Sequence, residues 1–529
     1  MRGITLGLFA LATAACAGEP STTTDSTQAL SPALKHGRDV WFNETFGGEK
    51  FFSLIVAGPP FNLPIGLDAA LTSPRATRFN NWGLINDPDC TPGDASTFGF
   101  DRCADPESAG VVGVRKKIAV VNGVPRILVG VSCASCHAGF DPVNPPADPN
   151  NPSWDNIHAT TGNQYINIAK IFSAHLTPSD PRYQVFNSWA PGTVDTTAIE
   201  SDGINNPGII TQFFQVPDRP FFDLHDAGLP IHVHRGGQGG EDDVGCEKAA
   251  LRVYFNIGMC AAECMVGHLH NGPGGSQTEI DDAECSAACP EYVRAKSEVA
   301  GMCAFMATAR TPKLADAPGG DVAIDTSVLD RGKQVFNSNC ASCHSNGQPG
   351  GHNVLSNDLV APWPVVGTNR CRSLSTNWKE GQIWGQFSSD EYKSRPGGGP
   401  GFYRNVPLLG IWATAPFFHN NRLGGYNGDP SVAGRLAAYE DAMDQLLNPT
   451  HRNIAGSIIR ATAPVCIVPG GPTGCIFSLP AGTPVNAFAS AGKCDTAALG
   501  DYFENQGHYF GAALSASDKY ALKEYLKTK

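Results

Sequence analysis

The chain has little of what marks several protein classes. It has no basic block and carries a net charge of −12, which argues against nucleic acid as a partner. It shows no internal repeat of the length that builds solenoids or propellers. Its composition is neither that of a disordered chain nor that of a membrane protein, and its leading apolar stretch, Ile4 to Ala12, is too short to span a bilayer. What it does have is glycine (59) and proline (40) in abundance, so long ordered loops are expected between helices. At 529 residues there is room for about two to four domains with sizeable cores.

The most informative motif is a pentapeptide that occurs twice, as Cys133-Ala134-Ser135-Cys136-His137 and as Cys340-Ala341-Ser342-Cys343-His344. Cys-x-x-Cys-His is the attachment signature of c-type haem. Two thiols three positions apart reach the two vinyl groups of one porphyrin, and the adjacent histidine supplies the proximal nitrogen to iron. With 17 cysteines and 14 histidines in the chain, about 0.014 copies are expected by chance. A redox dithiol has no need of the histidine, and a zinc site needs a second ligand pair at suitable spacing. The motifs therefore predict two covalently bound haem c groups. Cys133, Cys136, Cys340 and Cys343 are the attachment points, and His137 and His344 are iron ligands.

Residues 1–16 read as an export signal, with Arg2 as a minimal positive start and Ala14-Ala15-Cys16 as small residues at a cleavage point. Cys16 leaves two routes open. Acylation there would give a lipid anchor, whereas ordinary cleavage nearby would release the chain; Thr13 departs from the leucine usual in the first case. A polar tether over 17–34 follows. The expected location is outside the cytoplasm: periplasm, outer membrane as a lipoprotein, or secreted.

Export suits the cysteines. Setting aside Cys16 and the four motif cysteines leaves an even number of the 17, which suggests disulfides. Cys260-x-x-x-Cys264 and Cys285-x-x-x-Cys289 each place two thiols on one helix face. Two such helices packed antiparallel would pair Cys260 with Cys289 and Cys264 with Cys285. Cys246 and Cys303 flank this unit and are placed to close it. Cys90 with Cys103, and Cys466 with Cys475, read as local staples, and Cys371 and Cys494 are left over.

The motifs lie 207 positions apart, which points to two haem domains. The fold class expected is mainly α: two cytochrome c-like haem domains with long ordered loops and a disulfide-stapled helical insertion. The N-terminal domain spans 35–313, with its cysteine-rich unit at 246–303. A linker covers 314–326, and the C-terminal cytochrome c domain covers 327–529. Ser327 to Phe336 reads as an amphipathic helix that delivers Cys340. Leu514 to Leu526 reads as a closing helix with Ser515 as its cap and Asp518 at the capping-box position. Residues 141–154, rich in proline and asparagine, read as an extended loop.

The sixth ligands decide what such haems do, because two protein ligands suit electron transfer and an open position suits oxygen or peroxide. His508, in a glycine-flanked loop before the last helix, is the candidate for the second haem, and Met443 is its competitor. His225, His232, His234, His268 and His270 are open to either haem or to solvent.

The segment Arg404-Asn405-Val406-Pro407-Leu408-Leu409-Gly410-Ile411-Trp412, continuing to Asn421, resembles the second-domain segment of the bacterial di-haem cytochrome c peroxidase and MauG superfamily. Arg404 suits a haem propionate, since guanidinium pairs well with carboxylate. Within that superfamily the chain is most similar to the rubber oxygenases, through the motif spacing, Gly130 to Cys133, Asn205 to Gly208, Leu251 to Gly258, and the ending from Gly507. The resemblance implies that His508 is the distal ligand of the second haem and that the first haem, on His137, keeps an oxygen-binding face. It implies a dioxygenase that cleaves C=C bonds of an apolar polyisoprenoid at the first haem with O2, the second haem acting as electronic partner, and a small redox protein as a further partner. Phe213, Phe214, Tyr254 and Phe255 are candidate pocket residues. A di-haem peroxidase or MauG-like oxidase, and a plain electron-transfer cytochrome, are the alternatives.

Overall fold

Local capping sets the helix boundaries. Pro32 sits in the first turn of the helix Pro32–Asn43, and the Ser31 hydroxyl accepts from the Leu34 amide at 3.3 Å. The Ser431 hydroxyl accepts likewise from Gly434 at the start of Val432–Leu447. The expected cap of the last helix, Ala516–Lys527, is present: Ser515 accepts from the Asp518 amide at 3.2 Å. The computed structural model describes residues 30–55, 57–58, 64–160, 162–193, 246–268, 278–306, 308, 311–341, 344, 366–369, 408–470, 474–489 and 502–529, and the backbone alone at 222–223 and 232–233.

These residues are mainly helical, as expected. The strands among them form five two-stranded antiparallel pairs. The longest pair, Val114–Val121 with Val124–Val131, was not foreseen, although alternating aliphatics around Asn122-Gly123 favour a hairpin. Residues between the strand Ala138–Phe140 and the turn Trp154–Asn156 form neither helix nor strand, as the proline content implied.

In the N-terminal half the helices Pro32–Asn43, Cys246–Asn256 and Pro290–Met306 bury Val40, Trp41, Phe42, Tyr254, Phe255 and Met302 in one cluster, which includes Cys133. A second cluster joins Leu71, Leu84, Val111, Val129, Ile166 and Trp189, and Cys136 packs against it. The cysteine-rich unit is stapled in the expected pairing, Cys260–Cys289 and Cys264–Cys285. The first pair does not lie on an α-helix. Cys260 has a left-handed backbone, with φ of 54°, and opens a single π-turn, Ala261–Met265. The local staples Cys90–Cys103 and Cys466–Cys475 are formed, and Cys303 is disulfide-bonded. Cys371 and Cys494, and the Cys246 side chain, lie outside the described residues.

In the C-terminal half the helix Leu329–Asn339 crosses Ala516–Lys527. A Cβ at Gly332 would stand 2.1 Å from the Ala521 carbonyl oxygen, so only glycine allows this approach. Arg331 Nε pairs with Asp518 Oδ1 at 2.6 Å across the crossing. The core around it contains Phe336, Trp412, Tyr439, Met443 and Leu522. Leu314 and Ala317, read as linker, are buried in this same cluster, and Trp412 Nε1 donates to the Pro312 carbonyl at 3.0 Å. The halves meet where Val185 packs with Val485, Ile459 and Phe488, and where Asn421 Nδ2 donates to the Pro191 carbonyl at 3.0 Å. No helix among the described residues is long and apolar enough to cross a membrane.

Candidate functional site

One backbone hydrogen bond is common to the two pentapeptides. The His137 amide donates to the Cys133 carbonyl at 3.0 Å, and the His344 amide donates to the Cys340 carbonyl at 2.8 Å. The first copy forms the short helix Ala134–His137. Three neighbours hold it. Ser132 donates from its hydroxyl to the Phe42 carbonyl and from its amide to the Gly113 carbonyl, both at 2.8 Å. Asn163 and Thr160 donate from their amides to the Cys136 and His137 carbonyls at 2.6 and 2.8 Å. Gly113, with φ of 75°, lies so close that a Cβ would meet the Ser135 amide at 2.1 Å.

Cys133, Cys136 and Cys340 are in no disulfide, whereas nine other described cysteines all are. Among the described residues, the cysteines outside disulfides are those of the motifs. Burial pushes the Cys133 thiol up to about 12, against which a hydrogen bond from Tyr254 pulls only partly, and burial raises Cys136 as well. Dithiols that work as redox centres need the thiolate, hence a lowered pKa, so this environment does not suit a thioredoxin-like pair. Cys343 and Arg404 lie outside the described residues.

His137 lies beside Trp41, with ring centroids 6.2 Å apart. Trp41, Phe42, Tyr254, Phe255 and Met259 are buried in the cluster that contains Cys133. Tyr254 packs edge-on against Phe46 at 4.6 Å, and its hydroxyl donates to the Val40 carbonyl at 3.3 Å. Phe255 stacks obliquely on Tyr292 at 5.4 Å. The structure thus sets Tyr254 and Phe255 among the residues packed with the first motif; Phe213 and Phe214 lie outside the described residues. Asn256, next along the same helix, has both amide atoms buried with no hydrogen-bond partner.

At the second motif the ring of His508 faces that of His344, with centroids 6.0 Å apart and planes at 49°. The loop that delivers His508 is held at several points. His508 has a positive φ of 52°, and its amide donates to the Val366 carbonyl at 2.6 Å. The buried Arg452 guanidinium donates to the Asn505 and Gly507 carbonyls at 3.1 and 2.6 Å. It also lies over the rings of Phe418 and Tyr509. Phe418 and Phe510 flank the His508 ring at 6.3 and 5.2 Å. Burial, with His344 and Arg452 acting in the same direction, pushes the His508 pKa down to about 4, so the imidazole is neutral at neutral pH and keeps a lone pair. Its Nδ1 is buried without a partner. Met443 is fully buried among Phe336, Trp412 and Tyr439.

Of the other histidines, His268 bonds Thr278 at 2.8 Å and Glu284 at 3.3 Å. His225, His234 and His270, and the His232 side chain, lie outside the described residues. Asp87 gathers with Cys90 and Cys103, but those cysteines are bonded to each other and offer no thiolate. Sequence reasoning passed over Trp41 and Arg452, and it met Phe418 and Asn256 only inside longer segments of resemblance, with no role of their own. Trp41 looks like any apolar position of an amphipathic helix, and Arg452 belongs to no motif. No protein-family model matches the chain, and a search of curated proteins finds no match either.

Proposed function

We propose that this chain is an exported di-haem c-type cytochrome and an oxidoreductase, most simply an oxygenase that cleaves the C=C bonds of an apolar isoprenoid at the first motif. The observation that carries the di-haem reading is the pairing of the His344 and His508 rings, 6.0 Å apart. His344 and His508 would be the residues that hold the second iron, and imidazole is a usual haem ligand. Cys133 and Cys136 would hold one haem and Cys340 and Cys343 the other. His137 and His344 would be the proximal ligands, His508 the distal ligand of the second, and Arg404 a propionate partner. Bound there, haem c supplies one-electron and dioxygen chemistry.

The protein's own contribution differs at the two places. Around the first motif, Trp41, Phe42, Tyr254, Phe255 and Met259 exclude water and make an apolar wall, which suits an alkene better than a peroxide needing acid–base help. Around the second, Arg452 and the Val366 carbonyl fix the His508 loop. The oxygenase reading rests on this apolar wall and on the resemblance in the sequence. The test is incubation with polyisoprene and shorter isoprenoids under labelled dioxygen, with mass spectrometry of products. Labelled carbonyl ends are expected. Brisk peroxide reduction without cleavage would move the chain to the peroxidase or MauG-like class, and two low-spin haems inert to both would make it an electron carrier.

A further inference from the structure

The hairpin Val114–Val121/Val124–Val131 is anchored at one end only. Val114, Leu128 and Val129 are buried, and the Val129 amide donates to the Ser53 hydroxyl at 2.8 Å. The outer half stands in solvent: Ile118 is 75% exposed, Val120 70% and Val124 54%. The tip, Asn122-Gly123, has positive φ at both residues, 51° and 78°, the geometry of a two-residue hairpin turn. A Cβ at Gly123 would meet nothing within 4 Å.

The register sorts the exposed side chains by face. Ile118 lies opposite Ile127 and Val120 opposite Pro125, so these four share one face. Lys117 and Arg126 project from the other. Residues 114–131 contain Arg115, Lys116, Lys117 and Arg126 and no acidic residue, in a chain of net charge −12. Arg115 is neutralised by Asp105 at 2.8 Å and Glu107 at 3.3 Å. Lys117 and Arg126 are exposed and make no ion pair among the described residues.

We propose that this hairpin is a membrane-interface anchor that seats on an anionic phospholipid surface. Aliphatic side chains held this far into water mark an interaction site. Cations beside them sit well at headgroup level, with their stems along the acyl boundary. From Lys117 to the tip is about 15 Å of strand, enough to reach the 5–10 Å depth at which interfacial elements bind. The partner is not a second copy adding a strand. Pro125 and Lys117 are edge features that oppose strand addition, and two hairpins brought together would oppose like charges.

The test is flotation of the full chain, carrying Cys16→Ala so that no acyl anchor can form, with phosphatidylcholine vesicles containing or lacking phosphatidylglycerol. Binding is expected to the anionic vesicles, with at least about a tenfold loss in I118S/V120S and in K117E/R126E. Both variants change exposed residues, and unaltered melting of each excludes misfolding as the cause. Absence of binding to anionic vesicles overturns the proposal. So does equal binding by the variants, or equal binding to the neutral vesicles. Vesicle-free sedimentation that shows self-association abolished by I118S/V120S would overturn it in favour of a self-contact.

Discussion

Identical pentapeptides sit in two unlike frames. Around Cys133 the frame is long-range and braced: a helix from residue 32, a hairpin ending near 131, a helix from 246, and a cysteine-rich unit closed by two disulfides. Around Cys340 the frame is two helices crossing at Gly332 and a loop that brings His508 to His344. The first turn is wrapped by aromatic and aliphatic side chains, and the second has an imidazole facing its histidine. The contrast teaches that one pentapeptide can be set in an apolar, braced wall or opposite a second imidazole; on the haem reading proposed above, those surroundings would decide what chemistry is left open.

The sharpest break of the comparison comes from removing attachment. Cys133→Ala with Cys136→Ala should leave one covalent haem per chain, and so should Cys340→Ala with Cys343→Ala, read by intact mass and haemochrome spectra. Two haems retained in either variant would remove the basis for treating the motifs as equivalent. Next, His508→Ala should turn one haem from low to high spin by electron paramagnetic resonance and leave the other unchanged. Met443→Leu should leave both spin states alone and cost under about 1.5 kcal/mol, as a volume-conserving core change. If Met443→Leu alters spin and His508→Ala does not, the second frame has been misread.

Stability separates the frames further. Removal of the Cys264–Cys285 disulfide, which spans a sequence separation of 21, should cost roughly 3 kcal/mol in denaturant unfolding. The cost should fall on the first half, with the second haem's spectrum intact. Gly332→Ala should cost about 1–3 kcal/mol, because its Cβ has nowhere to go, and should loosen the second half alone. Unfolding of both haems together in these variants would show one cooperative unit.

The smallest effect is on pH. Burial alone would raise the Glu440 pKa, but Lys523 and Lys527 outweigh it and hold that carboxyl below its ordinary value of 4.5. A carboxylate depressed in the folded state stabilises above its unfolded pKa, and that contribution is lost as pH falls through the folded value. The terminal helix should therefore loosen on acidification below about pH 4.5, and Glu440→Gln should flatten that part of the profile.

Legibility followed the range of the interactions. The helix leading to Cys340, the Ser515 cap and the pairing Cys260–Cys289 with Cys264–Cys285 were readable because each depends on spacing along one or two short segments. The hairpin at 114–131 was passed over, and so was the π-turn that replaces a helix at Cys260. Gly258 and Cys260 both take positive φ there, a backbone choice made by packing rather than propensity. Leu314 and Ala317 were taken for linker because composition does not reveal that Trp412 and its cluster lie next to them.

By itself the sequence determined the two Cys-x-x-Cys-His motifs and the expectation that their thiols and imidazoles hold haem, because five adjacent residues carry that signature. It narrowed the facing residue at the second motif to His508 or Met443 and went no further without resemblance. Only the tertiary structure decided between their positions: Arg452 and the Val366 carbonyl bend the 505–510 loop until His508 faces His344, while Met443 is buried in an apolar core. Those contacts join residues that are distant along the chain, so no local pattern encodes them.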